Sequence, residues 1–148
     1  MRLGGLWHAF TYSAHPVAAA VAVKTLEIYQ RRDTFGHVRK VAPVFQGRLT
    51  ALQSHPLVGE ANGVGLIGAV ELTPDKKTKR NFDPARAVGA KCGQFCQDEG
   101  IIVRALLHDR IALCPPLVIS EAEIGEMFDR LTRALDKTLD WAKAEKLL

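Results

Sequence analysis

The fold class is decided by the stretch Val58-Gly59-Glu60-Ala61-Asn62-Gly63-Val64-Gly65-Leu66-Ile67-Gly68-Ala69-Val70-Glu71-Leu72. Its apolar residues and its glycines, which favour bulges and close backbone contacts, predict two strands or one bent strand. The spacing Gly63-x-Gly65-x-x-Gly68 also matches a dinucleotide-binding fingerprint. That fingerprint requires a helix directly after the glycines, whereas residues 69–72 continue as strand, so we reject a dinucleotide site.

A second pair of short strands is predicted further along the chain. Residues 101–103, Ile-Ile-Val, have side chains typical of a strand. Residues 104–109 then turn the chain, and residues 110–113 form the antiparallel return before two prolines stop it. Together the two pairs predict a small, largely antiparallel sheet.

Helices precede, separate and follow these strands. Pro16 favours a helix start, and residues 17–32 predict a helix whose alanine-rich first half is deeply buried. A second helix spans 36–53, and Pro43 should kink it or mark its true start. Asp83 and Pro84 predict a third helix that ends at Gly100, and Ser120 with Glu123 forms a capping box for the last. The fold class is α+β, with helices packed against the sheet.

Composition excludes several classes of protein. The chain has 148 residues, 47% of them hydrophobic and 24% charged, which is typical of a globular domain. No apolar run approaches the roughly 20 residues of a membrane span, and residues 1–5 lack the apolar core of a signal peptide. We therefore expect no membrane association and a cytoplasmic location. Three cysteines and five histidines show no zinc-type spacing, so no metal site is expected.

Basic residues are concentrated in the run Lys76-Lys77-Thr78-Lys79-Arg80. Such a run can contact a phosphate backbone, but turn-forming residues flank it and no aromatic side chains are interleaved with it. The pattern favours a solvated loop, and we expect no nucleic-acid partner.

Two places in the chain carry groups that could bind an anion. Phe10-Thr11-Tyr12-Ser13 precedes a helix N-terminus, where hydroxyl and N–H groups suit an anion, although Thr11 or Ser13 could instead simply cap the helix. Arg104 follows the predicted strand and could bind a carboxylate or lie in water. The residues alone favour the cap and the solvated arginine.

The run His8-Ala9-Phe10-Thr11-Tyr12-Ser13-Ala14-His15-Pro16 resembles a signature of class III aminotransferases, pyridoxal-phosphate enzymes of fold type I. It is closest to the omega-transaminase form, H-G-F-T-Y-S-G-H-P. The glycine-rich strands also resemble the family's C-terminal domain. Gly100-Ile101-Ile102-Val103-Arg104 and Pro115-Pro116-Leu117 resemble its last sheet segment. The resemblance covers almost the whole chain.

The resemblance implies roles for three residues. Thr11, with the backbone of Phe10 beside it, binds the phosphate of pyridoxal 5'-phosphate across a homodimer interface formed by residues 8–32. Arg104 binds the carboxylate of an amino-acid or keto-acid substrate. Ala9 and Ala14 stand where the family has glycines, and Asn62 stands where it commonly has arginine. If either glycine has a positive φ, alanine there strains the loop.

The resemblance also implies an absence. The family's Schiff-base lysine and the carboxylate beside the pyridine nitrogen lie on a large domain upstream of the threonine motif. None of the nine lysines of this chain (24, 40, 76, 77, 79, 91, 137, 143 and 146) has the family's lysine context. We therefore assign no catalytic residue here, and expect the chain alone to be inactive.

The implied organisation has three segments. Residues 1–15 form the interface and phosphate-binding loop, residues 16–53 are helices leading into the small domain, and residues 54–148 are the C-terminal α+β small domain. The implied function is part of a transaminase that moves an amino group from an amine or amino acid to a keto acid such as pyruvate. Two alternatives remain open: a stand-alone α+β binding or oligomerisation module, and an aminomutase or decarboxylase of the same fold.

Overall fold

The computed structural model describes residues 10–148, and the chain divides into two compact units, Met1–Phe35 and Gly36–Leu148. The predicted functional layout of 1–15, 16–53 and 54–148 stays a prediction, and its residues 1–9, which include Ala9, lie outside the described residues.

Among its described residues, the first unit contains the helix α1, spanning Pro16–Arg31. Pro16 occupies its first turn, as predicted, and Tyr29 packs edge-on against Phe35 with 5.6 Å between ring centroids. The prediction that the alanine-rich half is deeply buried is wrong, because no residue of α1 is buried. The described part of the first unit holds no second long element that could cover this helix.

The second helix, α2, spans Thr34–Ala51 and continues into a short 3-10 helix, Leu52–Ser54. Pro43 lies inside α2 and does not mark its start. The buried face of α2 follows the predicted spacing, with Val41, Phe45 and Leu49 almost fully inaccessible to water.

Within residues 10–148 the sheet has four strands in the order β1-β2-β4-β3, and every neighbouring pair is antiparallel. The strands are β1 (Val58–Val64), β2 (Ile67–Leu72), β3 (Arg104–Leu106) and β4 (Arg110–Leu113). The glycine-rich stretch therefore forms two strands. The turn between them uses Gly65 at φ +59°, and a register shift between Val58 and Glu60 marks a bulge at Gly59. The predicted α+β class with a small antiparallel sheet is confirmed.

The strand predicted at residues 101–103 was placed too early, because β3 begins at Arg104. The third helix, α3, spans Val88–Asp98 and ends in a left-handed Gly100, as predicted. The N–H of Gly100 donates to the carbonyl of Gln97, and that of Ile101 donates to the carbonyl of Cys96. Ile101 is thus still part of the helix end, and the chain joins the sheet only afterwards.

The start of α3 also differs from the prediction. Asp83 caps a short 3-10 helix, Pro84–Arg86, through a 3.0 Å bond from the N–H of Ala85. Ala87 then takes a left-handed conformation, with φ +47°, before α3 begins. The two predicted start signals therefore belong to a separate turn that precedes the helix.

The last helix, α4, spans Glu121–Ala144 and begins in the predicted capping box of Ser120 and Glu123. Its buried face packs on α2 and α3, and Phe45 meets Phe128 edge-on with ring centroids 5.2 Å apart. The core residues of α4 are Ile124, Phe128, Leu131, Ala134 and Leu135. No helix within residues 10–148 is long and apolar enough to cross a membrane.

Ionic contacts hold the C-terminal end of α3 against α4. The Glu99 carboxylate lies 2.7 Å from the Lys137 ammonium and 2.6 Å from Nε of Arg133. These two partners, Lys137 first, lower the pKa of Glu99 below its ordinary value. Arg130 donates to the Glu99 carbonyl at 2.6 Å.

Candidate functional site

Arg104 borders a concave region of the second unit. It is the first residue of β3, and its side chain lines a pocket of about 840 Å³. The apolar wall comes from the segment before α3, with Phe82, Pro84 and Ala87, and from Leu106. A guanidinium beside an apolar wall suits a ligand that combines a carboxylate with a hydrocarbon part.

The other side of this pocket is the turn between β3 and β4. His108 and Asp109 both have left-handed backbones, with φ of +60° and +52°. Two consecutive non-glycine residues in this conformation store backbone strain, which the surrounding structure must offset. The Asp109 carboxylate supplies part of that support, since its Oδ1 accepts the N–H of Gly89 at 2.7 Å.

The Thr11 segment forms a turn directly before α1. The N–H of Ser13 donates to the Phe10 carbonyl at 3.0 Å, and the N–H of His15 donates to the Tyr12 carbonyl at 3.4 Å. Thr11 is exposed, and the first turn of α1 carries no acidic residue. A neutral hydroxyl beside a helix N-terminus without a competing carboxylate fits a phosphate group.

Ala14 in this turn has φ +60°. The position therefore takes the left-handed conformation that glycine adopts freely and alanine adopts at a penalty of about 1 kcal/mol. The strain expected for an alanine at this place in the motif is present at Ala14.

Thr11 with Phe10 and Arg104 belong to the first and the second compact unit respectively. Their predicted roles in binding stay predictions. Asn62, which departs from the family pattern, lies on β1, where its amide donates to the Glu60 carboxylate at 2.5 Å.

None of the nine lysines, all of which fall within residues 10–148, lines the Arg104 pocket. Four are exposed on the surface: Lys40, Lys77, Lys79 and Lys146. The other five serve structure, since Lys24, Lys137 and Lys143 pair with carboxylates, Lys76 donates to main-chain carbonyls, and Lys91 lies 4.8 Å from the Phe95 ring centroid.

The two cysteines of α3 are equally structural. Cys92 and Cys96 are fully buried one turn apart. A hydrogen bond with Cys92, together with burial, raises the pKa of the Cys96 thiol well above its ordinary value. Cys96 is therefore a protonated core residue rather than a nucleophile.

The sequence predicted a turn that includes Asp109 but not its left-handed backbone or the role of the Asp109 carboxylate. The available signal was local, because aspartate tolerates the left-handed conformation and often occupies turns. Its contact with Gly89 joins residues far apart in the chain, and no spacing rule reaches that far.

Known solved structures identify the class of protein that this fold and pocket define. The omega-transferase of Vibrio fluvialis JS17 superposes with a TM-score of 0.85 at 38% identity, over 93% of this chain and 32% of that chain. A transaminase described with L-alanine superposes with a TM-score of 0.83 at 43% identity, over 90% of this chain and 31% of that chain. The chain has the fold of the corresponding part of a fold type I transaminase.

Sequence comparison identifies the family. The Aminotransferase class-III profile matches residues 1–135, and the chain belongs to the class III aminotransferase family. The putrescine–pyruvate aminotransferase of Pseudomonas aeruginosa is 42% identical over 136 residues, covering 91% of this chain and 29% of that protein. The mitochondrial gamma aminobutyrate transaminase 1 of Solanum lycopersicum is 37% identical over 148 residues, covering 98% of this chain and 28% of that protein.

The predicted family is thereby confirmed. The chain spans less than a third of the length of these relatives.

Proposed function

We propose that this chain is the C-terminal portion of a pyridoxal-phosphate-dependent transaminase. The whole enzyme transfers an amino group from an amine or amino acid to a keto acid such as pyruvate. Family membership supports the reaction class, and the names of the relatives, which include putrescine–pyruvate and gamma aminobutyrate transaminases, support amines and keto acids as substrates. The observation that carries the proposal is the position of Arg104 at an apolar pocket.

Arg104 takes the substrate carboxylate in this proposal. A guanidinium offers two parallel N–H donors, which match the two oxygens of a carboxylate. An amine without a carboxylate presents no partner for Arg104, so its contribution should be specific to amino acids and keto acids.

Thr11 and the backbone of Phe10 hold the cofactor phosphate. The neutral Thr11 hydroxyl is exposed and the first turn of α1 has no carboxylate, so the segment can donate to an anion without repelling it. A structure of a relative described as bound to pyridoxamine phosphate supports this cofactor. Pyridoxal phosphate, when bound, supplies the electron sink for amino-group transfer.

The Schiff-base lysine comes, in this proposal, from a part of the enzyme outside these residues. The absence of any lysine from the Arg104 pocket, and the fraction of each relative that the chain covers, support this. We further propose a cytoplasmic homodimer that forms through residues 8–32, where Val17 and Val21 of α1 present exposed apolar side chains.

The proposal is tested by Arg104→Ala in the full-length enzyme that contains this chain. Turnover of the keto acid should fall by about tenfold to a hundredfold, the loss in affinity expected when a charge-assisted bidentate contact is removed. The half-reaction with a simple amine should keep its rate. Arg104→Lys is the matched control, because lysine keeps the positive charge but lacks the two parallel N–H donors. Its turnover of the keto acid should lie between that of the parent enzyme and that of Arg104→Ala. Equal loss with both substrates would refute the role assigned to Arg104.

A further inference from the structure

Asp109 is outside the set of residues that the resemblance implies for the site, yet it joins three elements around the Arg104 pocket. Its carboxylate Oδ1 accepts the N–H of Gly89, at the start of α3, at 2.7 Å. Its backbone carbonyl accepts the N–H of Leu72, at the end of β2, at 3.1 Å. A Cβ at Gly89 would lie only 2.8 Å from the Asp109 Cα, so the helix and the turn are in direct backbone contact.

The bond to Gly89 replaces the cap that α3 lacks. A helix is ordinarily capped by the side chain of the residue that precedes it. Here that residue is Ala87, which makes no side-chain cap bond. The capping carboxylate comes instead from a residue 20 positions downstream, and the same bond therefore fixes the β3–β4 turn to the helix.

The β3 strand needs such a fixed turn. It has only three residues, all exposed, and it lies at the edge of the sheet, where β4 is the one strand of the described chain that pairs with it. Its register is Arg104 opposite Ala112 and Leu106 opposite Arg110. A short edge strand has few hydrogen bonds of its own, so the place of Arg104 depends on where the turn is held.

We propose that Asp109 is a positioning residue for Arg104. Its carboxylate fixes the β3–β4 turn to α3 and its backbone carbonyl joins that turn to β2. The carboxylate thereby sets the direction from which the Arg104 guanidinium meets a substrate carboxylate. The inference rests on the proposed function of Arg104. It assigns Asp109 no contact with substrate or cofactor.

Three substitutions at this position separate the two properties of Asp109. Asp109→Asn keeps a side-chain acceptor for the Gly89 N–H and tolerates the left-handed backbone. Asp109→Gly keeps the backbone conformation but removes the acceptor. Asp109→Ala loses both, and it serves as the most severe variant.

The test is made in the full-length enzyme with a keto acid and with a simple amine. For Asp109→Gly we expect the KM for the keto acid to rise by about tenfold, the value of one hydrogen bond to a charged group, with the amine half-reaction changed by less than about twofold. Asp109→Asn should remain within about threefold of the parent KM, since its acceptor is neutral. Hydrogen exchange of the peptide covering residues 104–110 should speed up in Asp109→Gly and not in Asp109→Asn.

A substitution on the opposite side of the contact gives an independent test. Gly89→Ala places a Cβ against the Asp109 backbone and should push the turn away, with the same selective rise in the keto-acid KM. Its effect should not add to that of Asp109→Gly, because both break one contact. Gly93→Ala is the matched control, since Gly93 lies one turn after Gly89 on the same face of α3. Its Cβ would make an ordinary 3.8 Å contact with the Cβ of Ala105 in β3.

The outcomes separate the two proposals. If Arg104→Ala shows no selective loss, the proposed function fails and the positioning role falls with it. If Arg104→Ala is selective but Asp109→Gly slows keto acid and amine equally, Asp109 only stabilises the fold and the positioning role alone is refuted. If Asp109→Gly does not fold, Gly89→Ala decides by the same comparison of substrates.

Discussion

The two hairpins of the sheet solve the same geometric problem in different ways. The β1–β2 hairpin turns through Gly65, which has φ +59° and open space around it. The β3–β4 hairpin turns through His108 and Asp109, neither of which is glycine, at similar φ values. The first turn is stable from local preference, whereas the second relies on a distant contact to α3.

This difference follows the positions of the hairpins. β2 is central and carries buried Val70 and Leu72, while β3 is an exposed edge strand beside a pocket. Strain that is supported from elsewhere is typical of functional sites. The comparison teaches that the hairpin with the weaker local preference is the one that borders the candidate site.

The largest effect should come from removing the hydrophobic support of the first hairpin. Phe45 is fully buried, and its ring lies where a Cβ on Gly68 of β2 would meet it. Phe45→Ala should lower the free energy of unfolding by about 3–5 kcal/mol through the cavity it leaves. Urea denaturation of the purified chain measures this. Leu107→Ala in the second turn is the control, because Leu107 is 83% exposed, and it should change stability by less than about 0.5 kcal/mol.

A smaller effect should follow from exchanging glycine between the two turns. Gly65→Ala should destabilise the chain by about 1 kcal/mol, since alanine resists the left-handed conformation. His108→Gly should leave stability unchanged or raise it by up to about 1 kcal/mol, because relief of strain opposes the added freedom of the unfolded chain. Thermal unfolding of both variants measures these changes. A larger loss of stability in His108→Gly than in Gly65→Ala would contradict the comparison of the two turns.

The smallest effect concerns the far end of α3, the helix that holds the second turn. The pKa of Glu99 is lowered in the folded chain by Lys137 and Arg133, so protons bind the unfolded state more readily as the pH falls below about 4.5. The stability from this carboxylate is present above that pH and is lost as the pH falls through the lower, folded-state pKa. Glu99→Gln should flatten this part of the acid-unfolding curve. An unchanged curve would show that these pairs contribute nothing measurable.

Much of the fold could be predicted because its signals are local. Three signals involve only residues within one or two helical turns of each other. They are the capping box at Ser120, the left-handed Gly100, and the spacing of Val41, Phe45 and Leu49. The start of β3 could not be predicted from the sequence. The β-branched residues at 101–103 suit a strand as well as residues 104–106 do, and only the partner strand decides where pairing begins.

The candidate site also has residues that the sequence could identify and one that it could not. Arg104 and Thr11 were reached through motifs that resemble a family, and the family itself is confirmed. Asp109 was missed because its contact with Gly89 exists only after the hairpin packs on the helix. The burial of α1 was predicted wrongly. An apolar composition indicates that burial of a helix surface would be favourable, but it does not indicate that the same chain supplies the covering surface.

The strand order β1-β2-β4-β3 has a consequence for how the second unit folds. Each hairpin closes a short loop, which forms rapidly and at little entropic penalty. The pairing of β2 with β4, from Gly68 opposite Leu113 to Glu71 opposite Arg110, instead closes a long loop that contains α3. Contacts between residues distant in the chain slow the folding of small domains, because the loop-closure entropy must be lost before they form. The seam between β2 and β4 therefore joins the two hairpins into one sheet at a larger loop-closure penalty than either hairpin carries alone.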